Sequence, residues 1–372
     1  MRKIWFQIHW FLGIFLFLFL SLAALSGAVL SFEKEIITAL NPKIYNKTEE
    51  KKPFVPSEIL EIIKQRYPKG RVMLIMEDKE AIFPIARIMQ PGQKGHESMF
   101  YAINPEIKEV TLLKGEKMFK FMDDFHRRLS ANVIGKEIVA FTTLALLVLT
   151  LSGVYLYWGR LRHRFFASFK IDFRKKGRAF LYQFHSAIGM WLLPWYLLMT
   201  LSGLYWSYGW VTNTFNFIAG VEVAMKHGGH GKKMQNKGKE EPQIPVQRFD
   251  EAWQVFVNSG IAYEKAMIML FVKGKMVSIN YLDATSSHPE AYNAVMVDTR
   301  EKKVAMHKKF EDLPLGEQLA KSMVVLHSGE YFGRVGQISV FIASLGMGVF
   351  VITGWMLYLD RRKKKKRKME KI

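Results

Sequence analysis

The chain has 372 residues, 49% of them hydrophobic and 14% aromatic, with a formal net charge of +21 and no cysteine. The missing cysteine excludes disulfides, thiolate nucleophiles, iron–sulfur clusters, covalent haem attachment and Cys-rich zinc sites, so any metal must be held by His, Met or carboxylate. The charge alone would suit nucleic acid, but its placement along the chain assigns it to topology instead.

Four apolar runs, roughly 10–32, 133–158, 188–208 and 335–359, reach or approach the length of about 20 residues that crosses a bilayer. The first span, taken as 1–34, opens on "QIHWFLG", with His9 at its mouth and Gly13 one helical turn further in, and carries "LSG" at 25–27. It is too long for a signal h-region of about 7–15 residues, so "AALSG" is not read as a cleavage site, and cleavage would discard His9. Residues 35–120 form a first polar domain. In it Ser57 is the expected N-cap of an amphipathic helix with Ile59, Leu60, Ile62 and Ile63 inward, followed by short β-rich stretches between Gly, Pro and Asn turns.

The second span, 121–159, is led by "MDDFH", which puts Met122 one turn before His126, and carries "LSG" at 151–153. A basic loop takes up 160–182, and His163 within it reads as an interfacial residue. The third span, 183–209, repeats the opening of the first as "QFHSAIG", with His185 and Gly189, and has "LSG" at 201–203. The second domain, 210–322, repeats the helix-then-strands plan. The fourth span, 323–360, is led by "MVVLH", with Met323 one turn before His327, and carries "ITG" at 352–354; a basic tail, 361–372, follows. The fold expected is an α-helical membrane protein: a four-helix transmembrane bundle with two external α+β domains and an internal tandem repeat.

Arg2, Lys3, the loop "RLRHRFFASFKIDFRKKGR" and the tail hold nineteen Lys/Arg against two acidic residues, Asp172 and Glu370. The positive-inside rule puts these segments and both termini in the cytoplasm and both large domains outside. Anionic lipid, rather than nucleic acid, is then the partner of the basic charge.

The spacing from His9 to Gly27 is 18 residues, as it is from His185 to Gly203; from His126 to Gly153 it is 27, as from His327 to Gly354. Two tandem halves follow, a kind of duplication familiar in membrane proteins, with small residues letting helices approach. His9 and His185 fall at the cytoplasmic end of the bundle, His126 and His327 at the external end. One histidine at a helix end is more commonly interfacial or hydrogen-bonded. Four in matched register, two per face, point to bis-imidazole haem b, two per chain, because haem iron takes one axial ligand on each side of the ring. Gly13 and Gly189 would let the flat macrocycle lie against the backbone, and Met122 and Met323 would pack on its edge. Zinc would want three or four converging ligands. His227 and His230, in "KHGGHGKK", read as a solvated loop; His96, His288 and His307 have no partner visible in sequence. Trp191, Trp195, Tyr205, Trp206 and Tyr331 are either interfacial aromatics or an electron path.

The segments "IHWFLGIFLFLFLSLAALSG", "FHRRLSANVIGKEIVAFTTLALLVLTLSGVYLYW", "FHSAIGMWLLPWYLLMTLSGLYWSYGW" and "LHSGEYFG" resemble the PepSY-associated transmembrane family, often described as iron-regulated membrane proteins. The resemblance covers almost the whole chain, through motifs that are specific together and weak singly. Similar members include di-haem ferric-siderophore reductases of the bacterial inner membrane. The resemblance implies PepSY-like external domains, haem at His9, His126, His185 and His327, and electron flow outward to a ferric siderophore or other iron chelate. Some relatives carry a fused flavin reductase domain. This chain has no Gly-rich nucleotide fingerprint, so the donor expected is a separate cytoplasmic flavin-type reductase or a quinol. Two other readings stay open: a non-catalytic PepSY module that binds or inhibits an external partner, and a quinol-linked cytochrome b.

Overall fold

The structure, a computed structural model, describes residues 1–45, 50–93, 95–221, 245–270 and 276–370. Among the described residues, three helices are long and apolar enough to cross a membrane: α6 (Asn132–His163), α8 (Gly177–Ser207) and α12 (Gly333–Met369). The first apolar run differs from the single span expected. It forms α1 (Arg2–Phe15) and α2 (Phe17–Leu30), which pass the same test only together and are bent by 65° at a break between them. At Leu16 the backbone leaves the helical region, with φ −100° and ψ 6°. Leu16 is buried against Leu20, Ala145, Tyr196 and Met347, and this cluster pins the pivot while α1 packs on α6 and α2 packs on α12.

The bundle is arranged for lipid. Phe15, Leu151, Leu201 and Ile352 lie exposed on its outside, whereas Ser26, Ser152, Thr200, Ser202 and Thr353 are buried within it. A water-soluble bundle distributes these residue types the other way.

Each half also contributes a helix and four strands. The first half supplies α4 (Pro56–Arg66) with β1 (Arg71–Asp78), β2 (Ile85–Met89), β3 (Met99–Asn104) and β4 (Glu109–Leu112). The second supplies α10 (Gln247–Asn258) with β5 (Lys265–Met269), β6 (Met276–Leu282), β7 (Asn293–Asp298) and β8 (Lys303–Lys308). The expectation of two separate α+β domains is corrected here. The strands form one eight-stranded antiparallel sheet, ordered β4-β3-β2-β1-β5-β6-β7-β8, in which the halves meet through β1 and β5 from Leu74↔Met269 to Asp78↔Lys265. Joining the sheets at β1 and β5 covers one edge of each meander, and an uncovered edge is an aggregation hazard. Ile59, Ile63, Ile75, Ile268, Ile279, Phe256 and Trp253 make one core under α4 and α10.

Ser57 is not the N-cap of α4. Val55 occupies that position with Pro56 as the first helical residue, the place where a missing N–H costs least. The Ser57 N–H instead donates to the Asp250 carboxylate of α10 at 2.8 Å, so one half caps the helix of the other. The expected inward face holds, with Ile59, Ile62 and Ile63 buried and Leu60 packed against them.

The short helices α7 (Phe165–Ser168) and α9 (Gly209–Ile218) follow α6 and α8, and three further helices connect sheet and bundle: α3 (Glu33–Leu40), α5 (Glu116–Arg128) and α11 (Leu315–Ser328). The first two pack Ile37 and Phe119 against Ile85 and Ala102 on the other face of the sheet. His126 and His327 ride on α5 and α11, not on the spans. A tight corner separates each helix from its span, and it is duplicated: Gly135 follows His126, and Gly336 follows His327, by nine residues. A Cβ at Gly135 would lie 1.7 Å from the Arg128 carbonyl oxygen, and one at Gly336 would lie 2.2 Å from that of Gly329. Only glycine permits either turn.

Candidate functional site

The four histidines come together in two pairs, one at each end of the bundle. His9 on α1 faces His185 on α8 with ring centres 6.3 Å apart and planes at 72°. His126 on α5 faces His327 on α11 with ring centres 6.1 Å apart and planes at 65°. Each pair takes one histidine from each tandem half, so both sites lie where the halves meet.

What holds the rings was not read from the sequence. His9 Nδ1 lies 2.9 Å from Ser152 Oγ, His126 Nδ1 is 3.1 Å from Ser26 Oγ, His185 Nδ1 is 2.7 Å from Thr353 Oγ1, and His327 Nδ1 is 2.9 Å from Ser202 Oγ. Every one of these hydroxyls belongs to an "LSG" or "ITG" tripeptide. The glycine that follows lies under the imidazole. A Cβ there would meet the ring Cε1 at 3.5 Å from Gly153 to His9, 3.1 Å from Gly27 to His126, 3.9 Å from Gly354 to His185, and 3.4 Å from Gly203 to His327. The tripeptides are therefore seats for the histidines. Within each half the seats are exchanged: the first span seats the histidine that precedes the second, and the second span seats the histidine that opens the first. The equal spacings of 18 and 27 were the available signal, but they count along one span, and the contacts cross between two.

A cavity of about 1490 Å³ surrounds the His9–His185 pair. It runs from Leu20, Tyr196 and Met347 in the middle of the bundle to Arg2, Lys3, Arg361 and Arg362 at its end. Gly13 and Gly189 both line it. Phe350 places its edge on the His185 ring at 5.0 Å. Three contacts gather the termini and the short loop at this end: the Arg2 guanidinium donates to the Leu156 carbonyl, Arg178 pairs with Asp360 at 2.8 Å, and Arg361 lies 4.7 Å over the Phe6 ring. The sheet lies at the opposite end, where Trp206 meets the His327 ring edge-on at 6.0 Å.

The remaining candidates separate clearly. Met122 and Met323 sit one turn before His126 and His327; Met323 is buried and Met122 half-buried. His288 is buried, accepts from the Glu290 N–H and meets Ser322 Oγ at 2.8 Å. His307 Nε2 lies 2.7 Å from the Tyr281 hydroxyl. Both have structural partners within the sheet domain. His163 ends α6 in an exposed position, and His96 lies in the short helix Gly95–Glu97. His227 and His230 fall outside the described residues. The Trp191 indole donates to the Phe169 carbonyl at 3.0 Å, and Trp195 packs on Phe332.

Carboxylates mark the sheet end. Burial, reinforced by the carboxylates of Glu116, Asp123 and Glu330 and opposed by Lys120, pushes the Glu33 carboxyl up to about 7. Burial also raises Glu116, which accepts the Phe100 N–H at 3.2 Å.

The donor set can be tested against the group the sequence suggests. A metal held between two imidazole nitrogens at about 2.0–2.1 Å each leaves the ring centres about 6 Å apart, as both pairs have. Among the described residues no cluster of three or more His, Cys, Asp or Glu gathers to hold a metal ion by itself. Two opposed imidazoles suit a metal whose other ligands come from a macrocycle, and the glycine-lined cavity gives space for one at the inner pair. The spacing of both pairs fits bis-imidazole haem, and the cavity gives room for it beside His9 and His185.

No curated protein matches the chain. The family described as the PepSY-associated TM region matches it over residues 6–361, nearly its whole length. Its apolar helices are those of a multi-pass membrane protein, and the chain belongs to the PepSY-associated transmembrane family.

Proposed function

We propose that this protein is a di-haem b electron-transfer protein of the bacterial inner membrane that carries electrons from the cytoplasmic side to a ferric chelate outside. The observation that carries the reading is the pair of facing histidines at each end of one bundle, with ring centres 6.3 and 6.1 Å apart. On α8, His185 of the inner pair and Ser202, the seat of the outer pair, are 17 residues apart. At 1.5 Å per residue this is about 26 Å, close to the roughly 30 Å hydrocarbon thickness of a bilayer. The two levels thus sit near opposite membrane faces.

When bound, haem supplies one-electron exchange at its iron. The chain's own residues do the rest. His9 with His185, and His126 with His327, present two nitrogens each across the interface of the halves. Gly13 and Gly189 leave the cavity wall open beside the inner pair. The nineteen cations of the termini and short loop fall on one side of a four-span topology, which the positive-inside rule makes cytoplasmic. The sheet, built of two PepSY-like units, is then external and flanks the outer pair, where a ferric siderophore would accept the electron. The inner end offers a basic surface for an acidic flavin-type reductase, or the open cavity for a quinol.

The test is stopped-flow oxidation of the dithionite-reduced protein by a ferric siderophore. A variant lacking the outer pair should lose rapid oxidation, and one lacking the inner pair should keep it. Equal rates in the wild type and in the variant without the outer pair would overturn outward transfer.

A further inference from the structure

The hydroxyl in each seat has its own proton committed. Ser26 Oγ donates to the Leu22 carbonyl at 2.8 Å, Ser152 Oγ to that of Leu149 at 3.1 Å, Ser202 Oγ to that of Leu198 at 2.6 Å, and Thr353 Oγ1 to that of Val349 at 2.6 Å. These are the back-bonds that serine and threonine make inside helices. A hydroxyl has one proton and accepts with its remaining lone pairs. Turning that proton toward the imidazole would leave two oxygens, hydroxyl and carbonyl, facing each other at 2.6 Å with nothing between them in two of the four seats. The oxygen therefore accepts, and the imidazole donates. His126 gives the same answer independently, because its Nδ1 also lies 2.9 Å from the Ala23 carbonyl, which can only accept.

We infer that Ser26, Ser152, Ser202 and Thr353 are positioning residues that hold the proton of each histidine on Nδ1 and so present a bare Nε2 lone pair between the facing rings. A neutral imidazole has one donor and one acceptor nitrogen, and the acceptor ligates metal. Fixing the proton fixes which nitrogen ligates. At the outer pair the glycine after each hydroxyl serves the same end, since a Cβ there would stand 3.1 Å from the His126 ring and 3.4 Å from the His327 ring. The choice of a hydroxyl over a carboxylate as the acceptor is also informative. A carboxylate would add a negative charge inside the bundle, where charge is costly, whereas a hydroxyl already bonded to its own helix orients the ring at no such cost. The inference rests on the haem reading for its consequence, but the tautomer itself does not.

Thr353 allows a test free of ambiguity about packing, because it has both a shape-conserving and a hydroxyl-conserving replacement. Thr353→Val keeps the volume and removes the acceptor; Thr353→Ser keeps the acceptor and removes a methyl. In purified holoprotein, transfer of the inner haem to apomyoglobin and its midpoint potential are measured for both variants. Outer-type partners of a ligand histidine are worth about 10–100-fold in metal affinity. Thr353→Val should therefore release the inner haem about 10–100-fold faster and raise its potential, since a ligand that loses its Nδ1 acceptor is less basic and favours ferric iron less. The outer haem should be unchanged in both readouts. Thr353→Ser should behave as the wild type. Wild-type behaviour of Thr353→Val, or loss in Thr353→Ser with retention in Thr353→Val, would overturn the inference in favour of simple packing. The imidazole ¹⁵N shifts of His185 separate this from failure of the cofactor reading. If the protein carries no haem, the haem reading falls, and a protonated Nδ1 in the wild type lost in Thr353→Val still upholds the seat; a protonated Nε2 in that wild type overturns it.

Discussion

The inner and outer histidine pairs share one geometry and differ in their surroundings. The inner pair looks into a cavity of about 1490 Å³ with arginines at its mouth, and the Cβ positions of its seat glycines stand 3.5 and 3.9 Å from the rings. The outer pair sits on α5 and α11, each folded back over its span at a glycine corner. Its seats are tighter, at 3.1 and 3.4 Å. Both pairs have further support: the Ala23 carbonyl on His126 and the Trp206 ring on His327, and likewise the Leu149 carbonyl on His9 and the Phe350 ring on His185. Duplication supplied the same histidine pair twice, and the elements preceding the histidines made the two pairs unequal. The inner site is roomy and basic, whereas the outer site is fixed and lies beneath a domain rich in buried carboxylates.

The largest test of this contrast is steric. Gly27→Ala brings a methyl to 3.1 Å from the His126 ring, closer than ordinary van der Waals contact, with Ser344 also at 4.0 Å. It should displace the ring and deplete the outer haem, while Gly354→Ala, at 3.9 Å from His185, should leave the inner haem in place. Haem occupancy by difference spectroscopy reads both, and equal losses would erase the distinction between tight and loose seats. A second comparison concerns redundancy. Thr353→Val removes the hydroxyl acceptor of His185, whereas Ser26→Ala leaves His126 its bond to Ala23. Release of the inner haem in the first variant should accelerate by about 10–100-fold, and release of the outer haem in the second by distinctly less. Equal acceleration would show that the Ala23 carbonyl gives His126 no support.

The smallest effect expected is electrostatic and confined to the sheet end. Glu33 is raised to about 7 from an ordinary value of 4.5. A carboxyl raised on folding stabilises the folded state fully below its unfolded pKa, and that contribution is lost as the pH rises through the folded value. Between pH 4.5 and about 7 the wild type should lose stability relative to Glu33→Gln. Melting temperatures across that window measure it, and parallel curves would place Glu33 outside any perturbing field.

Much of the histidine arrangement was legible because periodicity and spacing are local. The apolar runs, the repeat and the matched registers of His9, His126, His185 and His327 can be read along one strand of sequence. The seats could not be read this way. Ser152 is 143 residues from His9, and Thr353 is 168 from His185, so the bonds exist only once the helices pack. The tripeptides looked like close-packing motifs because the same small residues serve both purposes. The fused sheet was hidden for a similar reason: β1 and β5 pair across two spans, and alternation in a strand does not name its partner. Ser57 was misread as a cap because Pro56, one residue earlier, starts the helix. The break at Leu16 has no proline or adjacent glycine to announce it; packing on two different neighbours produces it.

The central claim is that each facing pair holds one haem, and haem counted per chain in the wild type and in single-histidine variants tests it most directly. The account predicts two b-type haems per wild-type chain, both low-spin because both axial positions are filled. It predicts one haem in His9→Ala or His185→Ala, with the outer spectrum retained, and one in His126→Ala or His327→Ala, with the inner spectrum retained. A single haem in the wild type, or loss of the outer spectrum on removing His9, would contradict the pairing on which the rest depends.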